Sequence, residues 1–196
     1  MTDSISFQKI FLLTFLLCVN LCACGRAEES TVAEKPQTTS DTAAESLAAL
    51  SRGGNTAIIL KDGASSGSGV RIDGDTVYIT DEGSYTLSGS LTNGQILVDV
   101  PDGSVALTLD NVSVACENSA ALYVVSAKNV YLTTAENSVN TLSTEGDFIQ
   151  TDDNNVDAAI FSKASLFLSG SGELEVSCAN GHGIVSKDAL EIRSGT

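Results

Sequence analysis

A ten-residue segment occurs twice near the end of this sequence. Ala159–Leu168 aligns with Gly183–Ile192 at an offset of 24 residues, and apolar residues occupy the same alternate positions in both copies. A weaker copy begins at Ala121. A period in the low twenties, made of short strands and tight turns, is typical of repeat architectures, because one repeat cannot bury its apolar residues alone. The repeat therefore predicts strands that stack on equivalent strands of the neighbouring repeat.

From this repeat we predict an all-β fold, a right-handed single-stranded parallel β-helix (a solenoid), from residue 56 onward. Strands stacked about 4.8 Å apart would place Ile160 over Ile184, and right-handed connections are strongly favoured for parallel strands. An antiparallel β-sandwich is the alternative, and it explains the strands but not the repeat. The last residues, 190–196, begin a new repeat, so we expect the solenoid to be truncated at its C-terminus.

Composition excludes several classes of function. The chain has 10 Lys and Arg against 25 Asp and Glu, a net charge of −15, so it has no basic footprint for nucleic acid. Its only histidine is His182, which excludes a metal site or a catalytic centre built on several histidines. Aromatic residues make up 5% of the chain, so the core must consist mainly of Val, Ile, Leu and Ala.

The first residues are typical of an export signal. Lys9 precedes the apolar run Ile10–Leu21, which is too short to span a bilayer as a helix. The run ends in Leu21–Gly25 (LCACG), which resembles the lipobox of bacterial lipoproteins. The resemblance implies a signal peptide over residues 1–23 and a lipid on Cys24, which alone would hold the protein at the cell surface. We expect the protein to be a monomer. An ordinary secretory signal, cleaved elsewhere, is the alternative.

Residues 24–55 read as a flexible acidic tether, because charge and low hydrophobicity dominate them. Residues 42–50 could form two helical turns, but isolated helices of that length are marginal. In the body, Cys116 and Cys178 are 62 residues apart. Stacked repeats would hold them beyond disulfide reach, so we expect both to be buried and unpaired.

The body also resembles a bacterial family of extracellular carbohydrate-binding domain proteins with a parallel β-helix fold. The segments that carry the resemblance are Gly83–Leu91, Gly94–Val100, Leu107–Val114, Asp157–Lys163 and Gly181–Asp188. The resemblance implies binding of cellulose or of acidic, pectin-like chains, with calcium held in loops and without demonstrated catalysis. It also implies a fold shared with pectate lyases.

A long loop is the candidate calcium site. It carries Asp147, Asp152, Asp153, Asn155 and Asp157, and calcium takes six to eight oxygen ligands in irregular geometry. Adjacent carboxylates repel one another unless a cation neutralises them. A solvated acidic loop without a cation is the alternative.

Two lysines and two tyrosines are the candidate carbohydrate ligands. Lys163 and Lys187 lie 24 residues apart, which places them at equivalent corners of neighbouring repeats, where an acidic sugar would relieve their repulsion. Alternatively, both extend into solvent and pair with local Asp. Tyr123 and Tyr131 lie in predicted strands and either stack on sugar rings or fill corners of the fold. With so few rings, a binder must rely on polar side chains along an extended strip.

Three functions therefore remain after the sequence analysis. The first is calcium-assisted, non-catalytic binding of an extended polysaccharide at the cell surface. The second is a calcium-dependent polysaccharide lyase, for which Lys187 and Arg193 are the candidate bases. The third is a structural surface adhesin without a sugar site.

Overall fold

The computed structural model describes residues 39–196, with the side chains of residues 45–196. The predicted signal peptide, Cys24 and residues 24–38 of the predicted tether lie outside the described residues. No helix within the described range is both long and apolar enough to cross a membrane.

One helix precedes fifteen strands in the described chain. The elements are α1 (Thr39–Arg52), β1 (Asn55–Lys61), β2 (Ser66–Gly67), β3 (Arg71–Asp73), β4 (Thr76–Ile79), β5 (Gly83–Leu91), β6 (Gln95–Asp99), β7 (Ser104–Cys116), β8 (Leu122–Ser126), β9 (Asn129–Thr134), β10 (Val139–Thr144), β11 (Ala158–Ser162), β12 (Ser165–Gly170), β13 (Glu173–Cys178), β14 (His182–Ser186) and β15 (Leu190–Ile192).

The strands form two mixed sheets. The first sheet has the order β15-β12-β9-β7-β5-β1-β2, with β10 pairing both β7 and β13. The second sheet has the order β14-β11-β8-β6-β4-β3. Strands β1 and β2 pair antiparallel in the first sheet, as do β3 and β4 in the second. The predicted right-handed single-stranded parallel β-helix is therefore wrong, because the all-β body consists of two open sheets that combine parallel and antiparallel pairs.

The antiparallel pairs have a local cause that the repeat does not contain. Asp62-Gly63 lies in the connection from β1 to β2, and Gly74 follows Asp73, the last residue of β3, in the two-residue turn to β4. Gly63 and Gly74 have φ angles of 63° and 59°, which glycine adopts without steric cost. An Asp-Gly pair is a strong signal for a tight hairpin, and a tight hairpin joins antiparallel strands.

Several strand pairs of the repeat lie at the predicted positions. Ile160 pairs with Ile184 and, on its other side, with Leu122. In the first sheet, Leu166 pairs with both Val130 and Leu190. All of these pairs are parallel. The period thus predicts which strands are neighbours, although it predicts neither the antiparallel pairs nor the division into two open sheets.

The main core joins the inward side chains of the two sheets. Leu87, Leu107 and Leu166 from the first sheet belong to the same buried cluster as Val77 and Ile160 from the second. Aliphatic side chains make up most of this cluster, as the shortage of aromatic residues predicts. Full burial of one such side chain contributes about 1.5–3 kcal/mol.

The two cysteines of the body are unpaired. Cys116 and Cys178 both neighbour Thr144, Cys116 on β7 and Cys178 on β13, so one strand separates them. Two strand spacings amount to about 9.6 Å, which exceeds the α-carbon separation of a disulfide. The prediction of unpaired thiols is confirmed, but only Cys116 is buried and Cys178 is half-buried.

Helix α1 occupies part of the segment that we predicted to be a flexible tether. The helix ends where Gly53 N donates to Leu50 O at 3.0 Å, and Gly54 follows with a φ of 93°. Leu47 and Leu50 lie on one side of the helix and pack on the outer face of the first sheet. This packing adds the apolar burial that an isolated helix of its length lacks.

Candidate functional site

The outer face of the first sheet carries aligned rows of side chains that run across its strands. The central row consists of Ser84, Ala106, Tyr131 and Phe167, which pair in register from β5 to β12. Two positions further along the strands lies the hydroxyl row, which consists of Thr86, Thr108, Thr133 and Ser169. Neighbouring members of each row are about 4.8 Å apart, because that is the spacing of hydrogen-bonded strands.

The hydroxyl row is half-buried and only partly engaged by the protein. Asn55 Nδ2 donates to Thr86 Oγ1 at 2.7 Å, and the hydroxyl oxygens of Thr133 and Ser169 lie 3.2 Å apart in a hydrogen bond. Each hydroxyl can donate one hydrogen bond and accept two. The row therefore keeps hydrogen-bonding capacity for a ligand that lies along it.

A groove of about 320 Å³ opens beside helix α1 over this part of the sheet. Thr108 and Thr133 line its floor together with Ser84, and Leu47 and Ser51 line its helical wall. The Ser84 Oγ atom is buried and has no hydrogen-bond partner among the described residues. An unpaired buried hydroxyl is costly, so the groove offers a polar atom that a ligand could satisfy.

The central row is covered where it carries aromatic rings. Tyr131 and Phe167 stack with ring centroids 5.2 Å apart and an interplanar angle of 18°. Leu47 and Leu50 of helix α1 pack against this ring pair. Tyr131 is only 1% exposed, and burial raises the pKa of its hydroxyl. The ring of Tyr131 faces outward from the sheet, but it presents no open face to a sugar.

The outer face of the second sheet has an aromatic pair of its own. Tyr123 pairs with Leu97 on one side and with Phe161 on the other, and the two rings meet edge to face at 5.7 Å. Val156 and Phe148, from the loop of residues 145–157, pack over them. Tyr123 is 3% exposed, so its ring also fills an apolar cluster and does not form a sugar platform.

Polar contacts hold this loop on the sheet. The Tyr123 hydroxyl donates to Asp152 Oδ2 at 2.5 Å, and Asn154 Nδ2 donates to the Tyr123 oxygen at 2.6 Å. Burial and the Asp152 carboxylate raise the pKa of Tyr123 above its ordinary range. Desolvation raises the pKa of Asp152, but hydrogen bonds from Tyr123 and Asn154 outweigh it and leave that pKa below its ordinary value.

Lys163 and Lys187 lie at the rim of this second face. Lys163 N donates to Val124 O at 3.0 Å and Lys187 N donates to Ser162 O at 2.8 Å, so the lysines follow equivalent positions of neighbouring strands. Both residues are exposed. The Lys187 ammonium lies 5.2 Å from the centre of the Phe161 ring, and the charge of Lys163 lowers the pKa of Asp152.

The five predicted calcium ligands engage different partners. Asp147 Oδ1 accepts from Asn180 Nδ2 at 2.9 Å, whereas Asp152 is bound to Tyr123. Asp153 and Asn155 are exposed. Asp157 Oδ1 is buried and lacks a hydrogen-bond partner within residues 39–196, which suits a cation. Across those residues, however, no three His, Cys, Asp or Glu side chains converge as a metal site would require. Calcium binding remains a prediction, for which the loop carboxylates would have to move together.

The structure brings together Tyr123, Asp152 and the two lysines of the sequence prediction, but it places Tyr131 on the other sheet. Sequence reasoning did not identify the hydroxyl row residue by residue. A signal was present, because Leu107-Thr108, Leu132-Thr133 and Leu168-Ser169 each place a hydroxyl directly after an inward leucine.

Two comparisons with known proteins give the same family description. Residues 73–196 match the family described as carbohydrate-binding domain-containing protein. A protein of that description from Acetivibrio thermocellus is 34% identical over 131 residues, which cover 65% of this chain and 46% of the relative. The chain thus spans about half the length of that relative.

A solved structure is also similar. It is the gadolinium derivative of a polysaccharide lyase-like protein from C. thermocellum, with a TM-score of 0.69 and 30% identity. The similarity covers 73% of this chain and 60% of that chain.

Proposed function

The chain belongs to the family of carbohydrate-binding domain-containing proteins, and from this premise we propose that its first sheet binds an extended polysaccharide without cleaving it. The observation that carries the proposal is the hydroxyl row, Thr86, Thr108, Thr133 and Ser169, which repeats one hydroxyl per strand across four strands. A polysaccharide also presents hydroxyl groups at a regular repeat, so one chain can engage successive members of the row.

The row favours a polymer over a single sugar. Each hydrogen bond to a ligand contributes only about 0.5–1.5 kcal/mol, so one or two give weak binding. Three strand spacings separate Thr86 from Ser169, about 14 Å, and a chain of several sugar units spans that distance. The unpaired Ser84 Oγ in the adjoining groove adds a further contact for a chain that lies in it.

Retention on insoluble cellulose tests this proposal. The double variant Thr108→Val/Thr133→Val removes two hydroxyls of the row and keeps the shape of their side chains. We expect retention to weaken about tenfold, because two hydrogen bonds are lost. Thr141→Val is the matched control, since Thr141 is half-buried on β10 and lies outside the row. Equal retention of the double variant and the control contradicts a role for the row.

The net charge of the protein distinguishes the two polymer classes that the family resemblance implies, cellulose and acidic, pectin-like chains. The net charge of −15 repels a polyuronate, whereas cellulose is neutral. We propose that acidic chains bind through calcium held by the loop of residues 145–157, with Lys163 and Lys187 on its rim. Chelation of calcium should then abolish retention on polygalacturonate and leave retention on cellulose unchanged.

Two variants examine the acidic-chain mode separately. Asp152→Ala/Asp153→Ala should lower calcium binding in calorimetry, and equal binding by variant and parent removes the loop from the proposal. Lys163→Ala/Lys187→Ala should weaken retention on polygalacturonate and not on cellulose. Loss on both polymers would instead indicate a general defect.

A lyase is the second candidate, because the similar solved structure is described as polysaccharide lyase-like. The two candidate bases lie on different sheets, Lys187 after β14 and Arg193 after β15. Arg193 Nε donates to Glu191 Oε1 at 2.9 Å, and its guanidinium lies 5.0 Å from the centre of the Phe167 ring. The hydrogen bond to Glu191 raises the pKa of Arg193, so the neutral form that a base requires is less populated, and this favours binding over cleavage. New ultraviolet absorbance during incubation with polygalacturonate and calcium would demonstrate a lyase.

We also propose that the protein is exported and held at the cell surface by a lipid on Cys24. The proposal is supported by the lipobox-like segment that ends in Cys24-Gly25. Metabolic labelling with a fatty acid should mark the parent protein and not Cys24→Ser. Equal labelling of both contradicts the anchor.

A further inference from the structure

A cavity of about 410 Å³ lies against helix α1, on the side of the central row opposite the hydroxyl row. Gly83 and Ser104 line it, and both precede the central-row residues of their strands. Its volume falls within the range of about 300–1,000 Å³ that small-molecule sites occupy. The cavity is separate from the hydroxyl groove, because different residues of helix α1 line the two.

Backbone contacts fix the charged wall of this cavity. Lys128 N donates to Gly103 O at 2.7 Å, and Gly103 N donates to Val100 O at 3.1 Å. A Cβ atom at Gly103 would lie 3.0 Å from Glu82 Cβ, so this turn packs tightly against Glu82. Asp102 precedes Gly103 with a φ of 66°. The three charged residues that line the cavity, Glu82, Asp102 and Lys128, therefore come from segments held together by their backbones.

The two walls of the cavity differ in polarity. Ala49 and Leu50 of helix α1 form an apolar wall, whereas Glu82, Asp102 and Lys128 form a charged one. A pyranose ring has the same division, because its faces carry C–H groups and its rim carries hydroxyls. The carboxylates accept hydrogen bonds from sugar hydroxyls, and the ammonium group donates one to a sugar oxygen. We propose that this cavity is a second saccharide site, which holds one neutral pyranose unit.

The charges of the cavity determine which sugars fit it. Two carboxylates and one ammonium group line the cavity, so a uronate would add a third carboxylate and be repelled. A neutral unit meets no such repulsion. The cavity therefore deepens the proposed function, on which it rests, by assigning a neutral chain to this side of helix α1.

Calorimetry with two short probes, cellotriose and trigalacturonate, tests this assignment. The parent protein should bind cellotriose more tightly than trigalacturonate. Glu82→Gln/Asp102→Asn keeps the shape of both side chains, and Asn tolerates the positive φ at position 102. This variant should bind cellotriose at least tenfold more weakly and lose most of its preference for the neutral probe.

Two further variants test the position of this site. Ala49→Trp fills the cavity from the helix and should abolish cellotriose binding while the thermal unfolding midpoint stays within a few degrees. Thr141→Val, on β10 and outside both proposed sites, is the control and should leave cellotriose binding within twofold of the parent.

The outcomes distinguish the two proposals. Unchanged cellotriose affinity in both cavity variants overturns the second site, even if the parent is still retained on cellulose. Failure of the parent to bind cellotriose overturns it as well. Loss of cellotriose binding in the cavity variants, in a protein that cellulose does not retain, supports the cavity and contradicts the hydroxyl row.

Discussion

The outer faces of the two sheets each bury an aromatic pair, but different elements cover the two pairs. Each face carries an outward aromatic pair, Tyr131 with Phe167 on the first sheet and Tyr123 with Phe161 on the second. On the first sheet, helix α1 covers the pair mainly through leucines. On the second sheet, the loop of residues 145–157 covers it with apolar side chains, and the Tyr123 hydroxyl donates to Asp152 and accepts from Asn154.

The kind of cover determines what each face leaves accessible. Helix α1 covers the aromatic pair of the central row and leaves the groove with the hydroxyl row on one side and the cavity with its charged wall on the other. The loop of residues 145–157 covers the other aromatic pair, and Lys163 and Lys187 are exposed at the rim of that face. The first face therefore keeps the hydroxyl row accessible, and the second keeps two lysines accessible.

The largest expected effect comes from removing a ring of the second face. Phe161 is fully buried, so Phe161→Ala should lower the free energy of unfolding by about 3–5 kcal/mol. Denaturant unfolding measures this change. Phe148→Ala is the control, since Phe148 is only half-buried on the covering loop and should cost less. A loss below about 1 kcal/mol for Phe161→Ala would show that this pair does not hold the face together.

Detaching the helical cover should have a smaller effect on global stability. Leu47 and Leu50 are half-buried, so Leu47→Ala/Leu50→Ala should cost roughly 1–2 kcal/mol. Hydrogen exchange should then show helix α1 opening while the loop of residues 145–157 stays protected. Ala48→Ser, on the exposed side of the helix, is the matched control. If the double variant keeps its helix protected, contacts other than the leucines hold the cover.

Removing one hydroxyl tests the polar attachment of the loop. Tyr123→Phe loses the bonds to Asp152 and Asn154 and should cost about 1–2 kcal/mol. Tyr131→Phe is the comparison on the first face, where apolar packing dominates, and it should cost less. The reverse order would contradict the difference that we draw between the two covers.

Acid should loosen the second face selectively. The pKa of Asp152 is lowered from its ordinary value of 3.8 in the folded protein, so its carboxylate stabilises the fold above that pH. This stabilisation is lost as the pH falls through the lowered pKa. Hydrogen exchange of the loop of residues 145–157 should rise below about pH 4 relative to helix α1. Asp152→Asn should remove this difference, and parallel loosening of both covers would contradict it.

The sequence predicts which strands pair within the repeat far better than it predicts which segments cover the outer faces of the sheets. Ile160 and Ile184 pair as expected, because the 24-residue period specifies which strands can share a core. The two Asp-Gly hairpins lie outside the repeat, so the period could not reveal the antiparallel pairs. The Asp-Gly pairs at Asp62-Gly63 and Asp73-Gly74 are the local turn signals that indicate these antiparallel pairs.

The sequence predicts the polar character of the candidate site, but it does not predict which side chains are accessible there. An aromatic-poor chain predicts an extended strip of polar side chains, and the hydroxyl row has that composition and extent. The burial of Tyr131 depends on helix α1, and that of Tyr123 depends on a loop that begins 22 residues further along the chain. The 24-residue period carries no information on this packing, because helix α1 and the loop of residues 145–157 lie outside the repeated segments.

Methyl NMR of threonine-labelled protein tests the hydroxyl row most directly, with a soluble cello-oligosaccharide long enough to span the row as ligand. The methyl groups of Thr86, Thr108 and Thr133 should shift together on titration, because their hydroxyls contact the ligand. The methyl group of the buried Thr144 should not move. Shifts confined to residues of the second sheet, or no shift in the row despite measurable binding, would contradict the account.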